Sequence, residues 1–151
     1  MEAHEFAEVE WQRFLPPPAD ELFAAVEAEF AIKLPAFYIE CCRKFHGARV
    51  TPHDVCIEGF GTTRLKSFLP LDDHPRRSKL AQLARFMHSN GRIPEQVIPF
   101  ASEPGGNYFC FDCRVDGEPI VVFWAHEEEQ MAHGGLHHVS NSFQEFLAVL
   151  E

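Results

Sequence analysis

Residues 102–117 read SEPGGNYFCFDCRVDG, with a glycine pair, a Cys-x-x-Cys and an aspartate set among aromatics. Four readings compete: a phosphate loop, a metal knuckle, a redox pair, or a turn followed by a β-strand. Side chains alternate faces along a strand, so Cys110 and Cys113, three apart, point to opposite sides. Tyr108, Phe109 and Phe111 favour a strand. A zinc knuckle needs a tight turn between its thiolates and a second ligand pair. Here the intervening residues are Phe111 and Asp112, and the chain has no second Cys-x-x-Cys. A reactive thiol pair usually opens a helix, and a phosphate loop leads into one. Gly105 and Gly106 lead instead into aromatic strand sequence. The stretch therefore reads as a turn at Pro104-Gly105-Gly106-Asn107, a strand, and a hairpin turn at Asp116-Gly117. Asp112 reads as a strand-end residue that bonds turn amides.

Working outward, "QVIPFAS" before this stretch and "EPIVVFWAH" after it are two more strand-like runs bounded by turn residues. "DVCIEGF" and "TTRLKSFLPL" read as two further strands, broken near Gly59 and Gly61. Gly59-Phe60-Gly61 carries two glycines of a dinucleotide fingerprint. The third position is Arg64 and no strand–turn–helix context follows, so nucleotide binding is not expected. Leu22, Phe23, Val26 and Phe30 follow helical spacing after Asp20, a plausible N-cap. Pro35 suits the first turn of a second helix. Tyr38, Cys41, Cys42 and Phe45 share one face of it, and Gly47 supplies the stop. Residues 76–90 read as a third helix with Leu80, Leu83, Ala84 and Met87 on one face. Arg76, Arg77, Lys79 and Arg85 are then its solvated or partner-facing charges. Ser142 and Glu145 form a capping box for a closing helix with an apolar stripe of Phe143, Phe146, Leu147 and Leu150. Helices, strands, a helix, strands and a last helix make an α+β fold with a mainly antiparallel sheet.

The chain of 151 residues fits one domain. Residues 1–18 form an acidic lead-in ending in Pro16-Pro17-Pro18, with Trp11 and Phe14 placed to dock on the body; residues 19–151 form the domain. Five cysteines, an odd count, and an acidic N-terminus without an apolar segment point to a cytoplasmic protein with reduced thiols. No apolar run is long enough to cross a bilayer. The formal net charge of −10 opposes direct binding to nucleic acid and favours a basic protein partner. Acidic residues concentrate at Glu2, Glu5, Glu8, Glu10, Asp20, Glu21, Glu27 and Glu29, and again at Glu127, Glu128 and Glu129.

His126, His133, His137 and His138 cluster late. His133 and His137 have the i, i+4 spacing of a helical metal pair, but Gly134-Gly135 between them argues against a helix, so a solvated loop is expected. No cofactor and no metal are expected. Neither G-x-S-x-G nor a Walker A motif occurs.

"LPAFYIECCRKFHGARV", "LKSFLPLDD", "VIPFASEPGGNYFCFDCRVDGEPIVVFWAHEE" and "VSNSFQEFLAVL" occur in an order and spacing that resemble the SUKH superfamily. The similar branch is the Smi/Knr type, named for a cell-wall assembly regulator. The resemblance runs from about Leu22 to Leu150. His46-Gly47 stands where Asn-Gly is common, and the proline-rich lead-in and the His/Gly loop before Ser140 also depart from the pattern. The resemblance implies a curved, mainly antiparallel sheet with flanking helices. It implies scaffold roles for Pro35, Gly47, Pro99, Gly106, Asn107, Asp112, Ser142 and Phe143, without a catalytic role. It further implies a non-catalytic immunity protein that binds and neutralises a toxin domain, of nuclease or deaminase class, or else an adaptor without a toxin partner. On the immunity reading, Trp124, Glu127, Glu128 and Glu129 are the expected partner contacts, Trp124 having core packing as its alternative.

Overall fold

The computed structural model describes residues 9–151. In chain order these form β1 (Glu10–Gln12), α1 (Glu21–Phe30), α2 (Ala36–Phe45), β2 (Arg49–Thr51), β3 (Asp54–Ile57), β4 (Gly61–Arg64), β5 (Ser67–Phe68), α3 (Leu80–Ser89), β6 (Val97–Ser102), β7 (Tyr108–Asp112), β8 (Ile120–Trp124), β9 (Leu136–Ser140) and α4 (Phe143–Ala148). The fold is α+β. A five-stranded antiparallel sheet runs β5-β6-β7-β8-β9, and two-stranded antiparallel ladders pair β1 with β2 and β3 with β4. Glu2, Glu5 and Glu8 of the acidic lead-in lie outside the described residues.

Strand alternation builds the core. Phe109, Phe111, Val121 and Phe123 face one side, toward α2 and α4, with Ile98 and Phe100. Cys110, Val122 and Trp124 face the other with Val97, where Met87 of α3 and Ile93 cover them. Both faces are dry, so these strands read as near-continuous apolar runs. On the first face Phe100 stacks on Phe111 with centroids 4.2 Å apart, and Tyr38 meets Phe111 edge-on at 4.9 Å. Phe143 and Phe146 of α4 meet Phe100 edge-on at 5.7 and 5.6 Å. Each buried ring contributes about 1.5–3 kcal/mol from area alone, and edge-on or offset pairs add about 0.5–1.5 kcal/mol. The register shifts between Pro99 and Ala101 and between Val121 and Val122. An extra residue at such a bulge bends its strand and increases the local twist.

The segments before α1 and after α2 meet through His46, which is fully buried. Its Nδ1–H donates to the Pro16 carbonyl at 2.9 Å and its Nε2 accepts the Leu71 amide at 2.8 Å. That fixes the neutral tautomer and satisfies two buried backbone groups. Trp11 stacks on Phe45 at 4.7 Å, and Phe14 meets the same ring edge-on at 5.6 Å. Gly47 ends α2 at φ +65°, and a Cβ there would stand 2.8 Å from Leu15 Cδ1. The left-handed backbone favours glycine at this crossing, and a larger residue would also have to push the Leu15 side chain aside.

Three local readings change. Asp20 is helical and makes no side-chain cap; its carboxylate accepts from Arg43 Nε on α2 at 3.2 Å. The third helix begins at Leu80, not 76. Arg77 precedes it and is not a solvated charge, because its guanidinium donates to the Gly47 and Phe68 carbonyls at 3.1 and 3.2 Å. The run 62–71 contains two strands, β4 and β5, since β4 turns back on β3 while β5 joins the main sheet. At α4 the Ser142 hydroxyl accepts the Glu145 amide at 3.1 Å, the N-cap bond expected of it. Among the described residues no helix is long and apolar enough to cross a membrane.

Helix α1 ends on Ala31 in the left-handed region, φ 54° and ψ 48°, where its amide donates to the Glu27 carbonyl. Alanine is strained there and glycine is not. Ala31→Gly is expected to stabilise the fold by about 0.5–1 kcal/mol net of the added unfolded-state entropy. Thermal denaturation checks this, the expected rise in Tm being roughly 2–3 °C.

Candidate functional site

The end of β8 leads directly into the acidic triplet. A single 3-10 turn, His126–Glu128, follows, and the chain returns to β9 through a glycine-rich loop. The neck of this loop is closed by the Ala125 amide donating to the Gly135 carbonyl at 2.8 Å. Gly135 lies at φ +80°, and a Cβ there would stand 2.6 Å from the Ala125 carbonyl oxygen. Only glycine permits this approach.

Asn107 anchors the turn from the neighbouring strand connection. Its Oδ1 accepts from the His126 amide at 2.9 Å and from His126 Nδ1–H at 2.6 Å. Its Nδ2 donates to Glu103 Oε1 at 3.2 Å. Glu103 also accepts from the Gly105 amide at 2.6 Å and from the Thr63 hydroxyl at 2.5 Å. A chain of hydrogen bonds thus runs from β4 through the Pro104–Asn107 turn to the start of the acidic turn. Glu103 and Asn107 are both buried, so each bond replaces water that cannot enter.

The four expected contact residues occupy four different environments. Glu127 is exposed. Glu128 is half-buried, its Oε1 accepting from His137 Nε2 at 2.6 Å, with His133 Nε2 at 3.8 Å. Glu129 borders an open cleft of about 630 Å³ together with Asp112, Arg114, Val122, His133 and Leu136. Its Oε2 is buried and has no hydrogen-bond partner among the described residues. Trp124 is only 1 % exposed, packed on the α3 side of the sheet. Its Nε1 likewise has no partner among the described residues. A smaller cavity of about 280 Å³ beside it is lined by Phe86, Arg92, Tyr108 and His126. The indole lies tilted against the His126 ring, centroids 6.2 Å apart.

The i, i+4 pair His133 and His137 is not helical: His133 sits in the loop and His137 in β9, paired opposite Phe123. The structure nonetheless brings both rings together, 5.0 Å apart, beside Glu128. The sequence held two parts of this cluster in view, the histidine pair and the acidic triplet, without joining them. The joining comes from the Gly134–Gly135 return, which only the folded backbone reveals.

The cysteines take no part. Cys110 packs on the α3 side and Cys113 against the opposite core. Burial pushes the Cys110 thiol well above its ordinary range, aided by Asp112, and pushes Cys113 up to about 12 for the same reasons. Burial raises Cys41 in the same way, and brings Cys42 to about 12. Such thiols are poor nucleophiles and poor metal ligands. Burial would raise the Asp112 carboxyl, but hydrogen bonds from the Arg114 side chain and amide outweigh it and hold it below the usual range. Arg114 Nε and Nη2 each reach Asp112 at 2.9 Å, and the Arg114 amide at 3.1 Å.

Compared with known proteins, residues 17–149 match the family described as SMI1 / KNR4 (SUKH-1). The chain belongs to this family. It is 28 % identical over 149 residues to the SPbeta prophage-derived uncharacterized protein YokK of Bacillus subtilis (strain 168), covering 85 % of this chain and 72 % of that protein. The five-stranded sheet, the Asn107 turn and the Ser142 cap all lie inside the matched SUKH-1 region.

Two outcomes are expected. Asn107→Ala leaves the His126 amide and Glu103 short of a partner and destabilises the fold by about 1–3 kcal/mol; amide exchange in residues 125–135 then accelerates more than in β7. Thiol titration of the native protein finds one fast-reacting cysteine, the exposed Cys56, with Cys41, Cys42 and Cys110 reacting only after unfolding.

Proposed function

We propose that this SUKH-1 chain is a non-catalytic immunity protein that neutralises a toxin domain by stoichiometric binding. The observation that carries this reading is family membership across residues 17–149, a family in which toxin immunity occurs. The acidic turn supplies the docking feature. Glu127 is presented to solvent on a turn held by hydrogen bonds that His126 donates to Asn107, so little ordering is needed on binding. A basic partner is favoured by the net charge of −10.

The test is co-expression with the toxin domain encoded beside this gene, followed by size-exclusion chromatography of the mixture. Rescue of growth with a one-to-one complex supports the proposal. Toxicity without rescue or complex overturns it and moves the weight to an adaptor role. Within a rescued pair, Glu127→Lys is expected to slow association by about tenfold at low salt and to flatten its dependence on ionic strength. Stopped-flow rates at several salt concentrations check this, and an unchanged rate removes the turn from the interface.

A further inference from the structure

We propose that Glu128, His133 and His137 form a binding site for a divalent transition metal ion of the zinc type. One ligand atom from each lies within 4.8 Å of the other two. Tetrahedral zinc with bonds near 2.0–2.2 Å sets its ligand atoms roughly 3.3 Å apart. The Glu128 Oε1 to His137 Nε2 separation is 2.6 Å and that to His133 Nε2 is 3.8 Å. Of the two gaps to Glu128 one must open and one must close, each by less than about 1 Å on that geometry, and the gap between the two imidazole ligand atoms is at most 4.8 Å. Two imidazoles and one carboxylate suit zinc among the first-row ions, and three protein ligands leave a fourth position open.

The surroundings favour the same ion. His137 is held on its far side by Phe60, edge-on at 5.8 Å, and by the bare backbone of Gly59, where a Cβ would approach Nδ1 to 3.3 Å. His133 borders the 630 Å³ cleft, which gives the fourth position access to solvent. The same cleft holds the buried, unpartnered Oε2 of Glu129, a second negative oxygen that a cation would offset. Two contacts must yield. His137 Nε2–H donates to Glu128 Oε1 at 2.6 Å, and ligation through that nitrogen moves its proton to Nδ1 and replaces the hydrogen bond with a metal bond from each partner. His133 Nδ1 accepts the Gly135 amide at 3.0 Å, which keeps the ring proton on Nε2. Ligation of His133 through Nε2 moves that proton to Nδ1 and exchanges the hydrogen bond with Gly135 for a metal bond. The ion would tie the turn carrying Glu127 to β9. This inference is independent of any toxin.

The experiment uses full-length protein purified without a histidine tag, stripped with chelator and titrated calorimetrically with zinc chloride alone. One zinc per chain is expected, with micromolar or tighter affinity and a higher Tm in its presence. Glu128→Gln and His137→Gln should each weaken binding at least tenfold. The exposed His133→Gln should do the same and guards against misfolding of the half-buried variants. His138→Gln, whose ring pairs with Asn141, and Cys56→Ser should bind as the parent does. Cobalt substituted for zinc should give tetrahedral visible bands without the near-ultraviolet band of thiolate ligation. No saturable one-to-one binding, thiolate bands, or parental affinity in His133→Gln would each overturn the assignment.

Discussion

The rings packed between the sheet and helices α2 and α4 are the constraint on which the rest of the structure rests. Phe100 and Phe111 stack across β6 and β7, and Tyr38, Phe143 and Phe146 close over them edge-on. Rings interlocked in this way tolerate little sliding. A one-residue slip of β7 would carry Phe109 and Phe111 to the α3 side and bring Cys110 into the aromatic layer. The register of β7 and β8 is therefore fixed before any polar contact is counted. The position of the acidic turn follows, because it starts at His126, one residue beyond Ala125 and the end of β8.

Much of this was written in local sequence. The alternation of Phe109, Cys110 and Phe111 placed β7, the spacing of Tyr38, Cys41, Cys42 and Phe45 placed α2, and Ser142 with Glu145 placed the start of α4. Local rules failed where a distant partner decided the outcome. Asp20 has the chemistry of a cap, yet Arg43 competes for its carboxylate. Arg77 has the periodic position of a helical surface charge, yet two carbonyls from other segments hold it outside the helix. Ala31 adopts a backbone that composition would assign to glycine.

The candidate site was legible only in fragments. Asn107 was readable as a turn residue, but its role as the acceptor for His126 depends on β7 and β8 lying side by side. Trp124 was readable as apolar and large; which face it occupies depends on register. The approach of Glu128 to His137 needs both the 3-10 turn and the left-handed glycines that reverse the chain. Spacing along the chain carries no trace of that return.

The closed neck between Ala125 and Gly135 has a consequence for how such proteins diversify. β8 and β9 are paired on the sheet side of the neck whatever the loop beyond it contains. Exposed loop residues such as Glu127 lie beyond the backbone bond at the neck, so a change of their charge leaves the strand register in place. Asn107 grips His126, the second residue past β8, and Glu128 reaches His137, while Glu127 between them is exposed. The scaffold can therefore keep its register while the exposed side of this loop changes its charge.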